Sequence, residues 1–254
     1  MVKVGIIGGS GLDDPKILKD AKEIKAETPY GSPTSVLTTG VIKGIDIVII
    51  ARHGKGHSIY PSKVNFRANI HALKAQGCTH VLASTAVGSL REEIKPGHLV
   101  FPEQFIDHTR KRETTFFDKD VVVHTPMSEP FCPNLIELLS TSAEHLGIPS
   151  HKNKTVITIE GPRFSTKAES HMFRGWKADV INMSTVPEVN LAREKQLHYA
   201  AIAMSTDYDC WHEEEAPVTW EMIMDTMRAN AGNVIELFLD VIPKIKEYDD
   251  ICVK

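Results

Sequence analysis

Short apolar runs alternate along this chain with longer stretches in which apolar residues recur every three or four positions. The short runs end in glycine or in polar clusters, a pattern typical of buried strands, whereas the periodic stretches are typical of helices packed on one face. Strands are predicted over residues 2–7, 36–41, 45–51, 79–84, 154–159, 178–181 and 200–204. Helices are predicted over residues 63–76, 133–146, 186–197 and 219–240.

This order of elements predicts an α/β fold with a mixed central β-sheet flanked by helices on both sides. The runs at 36–41 and 45–51 are typical of a β-hairpin that turns near Lys43 and Gly44, so the chain is not a plain repeat of strand–helix–strand units. Of the 254 residues 42% are hydrophobic, and no linker-like segment divides them. We therefore expect residues 1–254 to form a single domain.

Charge and composition exclude several classes of function. The chain has 29 Lys and Arg against 33 Asp and Glu, a formal charge of −4, and its basic residues are scattered apart from a short run at 110–112. A nucleic-acid-binding surface is therefore not predicted. The four cysteines are far apart and form no CxxC pair, so we expect neither a disulfide framework nor a metal site. The apolar run at the N-terminus is too short for a signal peptide or a membrane span, and a cytoplasmic protein is expected.

Two segments, ADVINMSTVPE (178–188) and STDYDCW (205–211), are the most informative about function. Each follows an apolar run and opens into polar side chains. Ligands of open α/β sheets bind beyond the carboxyl ends of strands, so these segments predict a pocket for a polar small molecule.

Asp207 and Asp209 in the second segment have the alternation that sends both side chains to one side of an extended strand. Such a pair can recognise the amino group of a base and share a proton with a ring nitrogen. An ordinary acidic turn, or a metal site joined by His212 and residues 213–215, is the alternative.

The glycine-rich segment GIIGGSG, residues 5–11, follows the first strand. Its glycine amides and the Ser10 hydroxyl suit an anion. The spacing is not GxGxxG, so a phosphate-sized anion fits better than a dinucleotide. A plain tight turn is the alternative.

Two other strand ends carry groups that suit the same anion. ARHGKGH supplies Arg52 and His53 after the hairpin, and STAVGSL supplies the Thr85 hydroxyl and the Ala86 amide. The alternatives are a solvated basic loop for the first segment, or a metal pair of His53 with His57, and a strand-ending turn for the second.

Apolar side chains accompany the polar clusters. Phe164 in EGPRFST can stack on a planar ring, and Met183 can border an apolar part of a ligand. A role in the core is the alternative for both.

Taken together, these segments resemble the methylthioadenosine phosphorylases of the trimeric purine nucleoside phosphorylase family. The motifs that carry the resemblance run from Gly5 to Trp211: GIIGGSGLDDP, ARHG, PSKVN, GCTHV, GSLREEI, QFID, PMSEPFCP, TIEGPRFS, ADVINMSTVPEV and IAMSTDYDCW. The resemblance implies a purine nucleoside phosphorylase-like fold and phosphorolysis of 5'-methylthioadenosine to adenine and 5-methylthioribose 1-phosphate, a step in purine and methionine salvage. It implies inorganic phosphate as co-substrate and no cofactor.

The resemblance also implies roles for individual residues, with Asp207 as the catalytic one. The phosphate site is implied to contain Ser10, Arg52, His53, Thr85, the Ala86 amide and Ser184. The nucleoside site is implied to contain Phe164, Asp207 and Asp209 around adenine, Met183 beside the ribose, and Ile181 and Asn182 in the pocket wall. His124 is implied to reach the 5' side of the pocket of a neighbouring subunit, in a homotrimer or in a pair of trimers.

The chain departs from the family's pattern in two places. Ser10 and Ser184 stand where the animal-type motif often has threonine, and each keeps the hydroxyl. The chain ends at Lys254, short of a segment that in some relatives helps to cover the 5' group, so Met222 and Ile223 of the last helix are expected to cover it instead.

Three other functions are alternatives to this one. A phosphorylase of 6-oxopurine nucleosides typically has asparagine at the position of Asp207. A nucleoside-binding protein without catalysis does not need the full set of phosphate-binding residues. A nicotinamide-dependent dehydrogenase rests on GIIGGSG alone.

Overall fold

The computed structural model describes residues 1–8, 17–119, 121–213 and 219–246. A sheet runs through these residues and helices cover it. Its strands are β1 (Lys3–Gly8), β2 (Lys19–Ile24), β3 (Leu37–Ile42), β4 (Ile45–Ala51), β5 (His80–Ser89), β6 (Leu99–His108), β7 (Ser150–Ile159), β8 (Val180–Asn182) and β9 (His198–Asp207). The helices are α1 (Phe66–Ala75), α2 (Pro133–His145), α3 (Lys167–Gly175), α4 (Thr185–Glu194) and α5 (Trp220–Val241).

The sheet has the order β2-β3-β4-β1-β5-β8-β7-β6-β9, and it closes on itself because β9 also pairs with β5. The β3–β4 hairpin is antiparallel, whereas β1 is parallel to both β4 and β5, and β5 is parallel to β9. Parallel and antiparallel pairs therefore occur together. The predicted mixed α/β sheet is confirmed.

The register of the strands places several strand ends side by side. Gly88 of β5 pairs with Asp207 at the end of β9, and on its other side it pairs with Ile181 of β8. Because β1 and β4 run parallel to β5, their carboxyl ends lie at the same edge of the sheet. This edge is where polar side chains follow the buried strands.

The core lies where helices cover the sheet. All ten residues of β9 are buried, because α5 and α4 pack against this strand within the closed part of the sheet. Strands buried on both faces read as continuous apolar runs, which is why residues 200–204 stood out in the sequence. None of the helices in the described ranges is long and apolar enough to cross a membrane.

Three elements have no counterpart among the sequence predictions. β2, with the sequence KDAKEI, is exposed throughout, so no apolar pattern marks it. β6 contains Pro102, where its pairing with β7 shifts register. α3 buries only Ser170 and Phe173, and a capping box between Thr166 and Glu169 defines its start.

Candidate active site

A cavity of about 480 Å³ opens at this edge of the sheet. That volume lies in the range of small-molecule sites. Of the residues predicted from the sequence, those that line it are Arg52, His53, Thr85, Ala86, Phe164, Ile181, Asn182, Met183, Ser184, Asp207 and Asp209.

Among the described residues, two predicted positions, His124 and Met222, do not line the cavity. Ser10 lies outside the described residues, so its predicted role in the phosphate site stays a prediction. His124 is exposed and belongs to the segment between β6 and α2. Its predicted role is in a neighbouring subunit and stays a prediction.

The guanidinium of Arg52 lies at the wall where β4 ends. The residue is 2% exposed, and Nε and Nη2 each donate a 2.7 Å hydrogen bond to the carboxylate of Glu188. Nη1 donates to the Ser84 carbonyl at 2.7 Å, and the Tyr199 hydroxyl donates to Glu188 at 2.7 Å. Arg52 is therefore fixed by a network of buried hydrogen bonds and is not part of a solvated basic loop.

Sequence reasoning did not identify Glu188 or Tyr199. Glu188 is the last residue of the ADVINMSTVPE motif, and its carboxylate is fully buried. Burial alone lowers the pKa of Arg52, but the charge and hydrogen bonds of Glu188 outweigh it, so the pKa is raised. The same burial and the charge of Glu188 raise the pKa of Tyr199. Arg52 therefore stays cationic and Tyr199 stays a hydrogen-bond donor.

His53 lies beside Arg52 and is neutral. Burial, and then the charge of Arg52, lower its pKa to about 3. Its Nδ1 lies 2.9 Å from the Ile59 carbonyl oxygen, which can only accept a hydrogen bond, so Nδ1 carries the proton. Nε2 of the neutral ring is then a hydrogen-bond acceptor.

Two hydroxyls link the middle of β5 with the residues that follow β8. Thr85 Oγ1 and Ser184 Oγ are 2.8 Å apart, and Asn182 Nδ2 donates to Thr85 Oγ1 at 3.2 Å. Asn182 Oδ1 in turn accepts from Thr158 Oγ1 at 2.8 Å. The amide of Asn182 thus fixes the hydroxyls, in agreement with its predicted place in the wall.

Asp207 and Asp209 also face the cavity, but not through strand alternation as predicted. β9 ends at Asp207, and Asp209 has φ +51° at the start of a short 3-10 helix. The turn between them lets the Asp209 amide donate to Asp207 Oδ1 at 2.8 Å. Ser165 Oγ lies 2.6 and 2.8 Å from the two Asp209 oxygens.

The protonation of Asp207 differs from that of an exposed carboxyl. Burial raises its pKa, against the hydrogen bonds from Thr206 and from the Asp209 amide. The nearby charge of Asp209 raises it further. Asp207 therefore holds its proton to a higher pH than an ordinary aspartate and can donate a hydrogen bond.

The Arg52 guanidinium and the Asp207 carboxyl group contact different positions along β5. Arg52 bonds to the Ser84 carbonyl, whereas a Cβ placed on Gly88 lies 3.0 Å from Asp207 Oδ1. Four residues of a strand span roughly 13 Å. That distance matches a ligand with an anion at one end and a base at the other.

Apolar side chains line the cavity between and around these groups. Met183 approaches Gly161 so closely that a Cβ there would overlap its sulfur, and Gly161 has φ +68°. Phe164 is 40% exposed at the wall. From α5 the cavity is lined by Ile223 and Met227, one helical turn apart. Ile223 was expected, but Met222 is not among the lining residues, because it lies on another face of α5.

Comparison with known proteins places this chain in a family. The family model described as the phosphorylase superfamily matches residues 3–243. This chain belongs to that superfamily.

Within the superfamily, the chain is similar to S-methyl-5'-thioadenosine phosphorylases. The one from Xenopus tropicalis is 55% identical over 254 residues, covering 98% of this chain and 90% of its own length. Two solved structures from Schistosoma mansoni are 41% identical and cover 98% of this chain and 93% of theirs. One is methylthioadenosine phosphorylase with adenine, TM-score 0.93, and the other is a mutant of adenosine/methylthioadenosine phosphorylase with methylthioadenosine, TM-score 0.92. The resemblance read from the motifs is confirmed.

Proposed function

We propose that this chain catalyses the phosphorolysis of 5'-methylthioadenosine, giving adenine and 5-methylthioribose 1-phosphate. The observation that carries the proposal is a cavity that holds two groups of polar side chains. A buried arginine and two hydroxyls lie near Ser84 and Thr85 of β5, and a pair of carboxyl groups lies near Gly88 of the same strand. Relatives that carry the name of this activity match nearly the whole chain. Inorganic phosphate is the co-substrate, and no other cofactor is expected.

The phosphate site positions the nucleophile. Arg52, Thr85, Ser184 and the Ala86 amide bind phosphate oxygens, as does Ser10. Neutral His53 offers Nε2 as an acceptor, which suits a hydrogen phosphate ion that still carries a proton. Held in this way, a phosphate oxygen attacks the anomeric carbon of the ribose while the bond to adenine breaks.

The carboxyl site assists the departure of the base. Electrons flow into the purine as the bond breaks, and protonated Asp207 donates a hydrogen bond to the ring nitrogen where that charge develops. Asp209, fixed by Ser165, completes adenine recognition, and Phe164 stacks on the ring. Met183 borders the ribose, and Ile181 and Asn182 complete the pocket wall.

A 6-oxopurine substrate is not favoured. A 6-oxo group is an acceptor and a 6-amino group is a donor, so the paired carboxyls match adenine. The relatives named above are methylthioadenosine phosphorylases. A nucleoside-binding protein without catalysis is not favoured either, because it would not need the buried hydrogen bonds that hold Arg52 at the proposed phosphate site.

We also propose a homotrimer in the cytoplasm, in which His124 of each subunit reaches the 5' side of a neighbour's cavity. The segment that carries His124 supports this proposal: Val121, Val122 and Val123 are 60%, 79% and 42% exposed. A run of exposed valines is suited to burial against another chain. The buried, protonated thiol of Cys78, whose pKa burial raises to about 12, fits a reducing compartment.

Initial rates of base release test the proposal. We expect the purified protein to release adenine from 5'-methylthioadenosine only when phosphate is present, and faster than it releases a base from adenosine or inosine. A preference for inosine would place the chain among the 6-oxopurine enzymes. Tight binding of nucleoside without release of any base would favour a binding protein.

A further inference from the structure

Glu188 is a buried charge to which the reaction described above assigns no role. Its side chain is 0% exposed, and it lies in α4 beside the strand ends that form the cavity. It accepts hydrogen bonds from two nitrogens of Arg52 and one from Tyr199, each at 2.7 Å. A carboxylate removed from water in this way is costly unless its partners are fixed.

The arrangement leaves Arg52 with donors to spare. The bonds to Glu188 and to the Ser84 carbonyl use three of the five N–H groups that a guanidinium carries. The side chain also lines the cavity. The Tyr199 hydroxyl also interacts with the guanidinium. At least one donor remains for an anion at the cavity wall, and its direction is set by the plane in which Glu188 holds the guanidinium.

The charge of the pair decides how an anion is recognised. Arg52 and Glu188 together are neutral, so the pair attracts phosphate mainly through the direction of its N–H groups. Removal of the Glu188 charge would leave a bare buried cation. If net charge governed phosphate binding, that change would strengthen it, whereas loss of orientation would weaken it.

We propose that Glu188 is a positioning residue for the phosphate, acting through Arg52, and that Tyr199 holds Glu188 in place. This inference rests on the proposed function, because it takes phosphate as the ligand of Arg52. It assigns no contact between Glu188 and the substrate. Its consequence is selective: phosphate binding depends on Glu188, and nucleoside binding does not.

The test compares Glu188→Gln with the wild-type protein. A glutamine offers one acceptor oxygen, and its amide opposes the second Arg52 donor, so the bidentate pair is lost. We expect the KM for phosphate to rise about tenfold or more, as for loss of a charge-assisted hydrogen bond. The KM for 5'-methylthioadenosine should stay within about a factor of two, the spread expected when no contact is removed.

A matched control is available on the same helix. Glu194 accepts 2.7 Å hydrogen bonds from Thr115 Oγ1 and from the Phe116 amide, away from the cavity. Glu194→Gln makes the same chemical change with a comparable loss of hydrogen bonds. It should leave the KM for phosphate unchanged, even where it lowers the melting temperature.

Tyr199→Phe keeps both charges and removes one hydrogen bond to Glu188, so it gives a reading even if Glu188→Gln does not fold. It should raise the KM for phosphate by a smaller factor in the same direction. An unchanged or lower KM for phosphate in either folded variant overturns the positioning role.

Failure of the proposed function is visible separately. Phosphate-independent wild-type turnover contradicts that function, and phosphate titrated into nucleoside-free protein by calorimetry then tests the positioning role alone. Weaker phosphate binding by the variants in that titration upholds it, and equal or undetectable binding by all forms overturns it.

Discussion

At the scale of single residues, the preference for adenine over other purine bases depends on the carboxyl group of Asp207. Its pKa is raised by burial, so its neutral, donating form persists to a higher pH than in an exposed aspartate. Activity that needs the neutral acid is present below this pKa and is lost as the pH rises through it. The rate on 5'-methylthioadenosine is therefore expected to fall on the alkaline side.

Asp207→Asn tests both parts of this assignment. An amide cannot share a proton with the purine ring nitrogen, so kcat/KM for 5'-methylthioadenosine should fall by about 100-fold or more. The ratio of inosine to 5'-methylthioadenosine turnover should rise, and the alkaline limb due to Asp207 should vanish. An unchanged ratio and pH profile would remove Asp207 from the mechanism.

Gly88 is the residue that leaves room for Asp207. A Cβ there would lie 3.0 Å from Asp207 Oδ1 and 3.1 Å from Ile181. Gly88→Ala should push the carboxyl group away from its place and raise the KM for the nucleoside, with little change in the KM for phosphate. Gly175→Ala is the control, since no atom lies within 4 Å of its Cβ position. Equal kinetics for the two variants would show that the space at Gly88 is not needed.

At the scale of elements, α5 covers the cavity with Ile223 and Met227 and contains an exposed glycine, Gly232, in its interior. A Cβ at Gly232 meets nothing within 4 Å. Gly232→Ala should therefore stabilise the protein by about 0.5–1 kcal/mol, because alanine loses less backbone entropy in a helix. Urea unfolding measures this, and a destabilised variant would mean that this face of α5 is covered by another chain.

Apolar patterning predicts the buried elements well and the others poorly. The β3–β4 hairpin, β9 and α5 follow from apolar runs and periodicity, because burial imposes those patterns. β2 and α3 escape prediction because they bury little, so their positions depend on pairing with β3 and on a helix cap.

The site shows the same division between motif and geometry. The positions of Arg52 directly after β4 and of Asp207 at the end of β9 agree with the sequence prediction. Thr85 was predicted just after a strand that ends at residue 84, but β5 continues to Ser89, so Thr85 lies inside the strand. The partnership of Arg52 with Glu188 does not, because 136 residues separate them and only the fold brings them together. The turn of the chain at Asp209 depends on a positive φ, which cannot be predicted from the residue type.

At the scale of the whole molecule, the closed sheet brings the ends of β5, β8 and β9 into one cavity, and the proposed trimer adds His124 from a neighbour. Mixed trimers test the second statement. His124→Ala and Asp207→Ala chains, each impaired alone, should recover activity when refolded together. Some sites then combine Asp207 from one subunit with His124 from the next.

The control mixture pairs Asp207→Ala with Arg52→Ala. Both changes lie within the cavity of one subunit, so every site in the mixture keeps a lesion and no recovery is expected. Light scattering should give three times the mass of one chain, or six times if trimers pair. Absence of recovery in the first mixture, or a monomeric mass, would contradict the shared site.

The stoichiometry of phosphate use tests the central claim most directly. Phosphorus NMR of the wild-type protein with 5'-methylthioadenosine and phosphate follows the sugar phosphate, while absorbance follows adenine. We predict one 5-methylthioribose 1-phosphate formed for each adenine released. Adenine released with free methylthioribose and unconsumed phosphate would mean hydrolysis and would contradict the account.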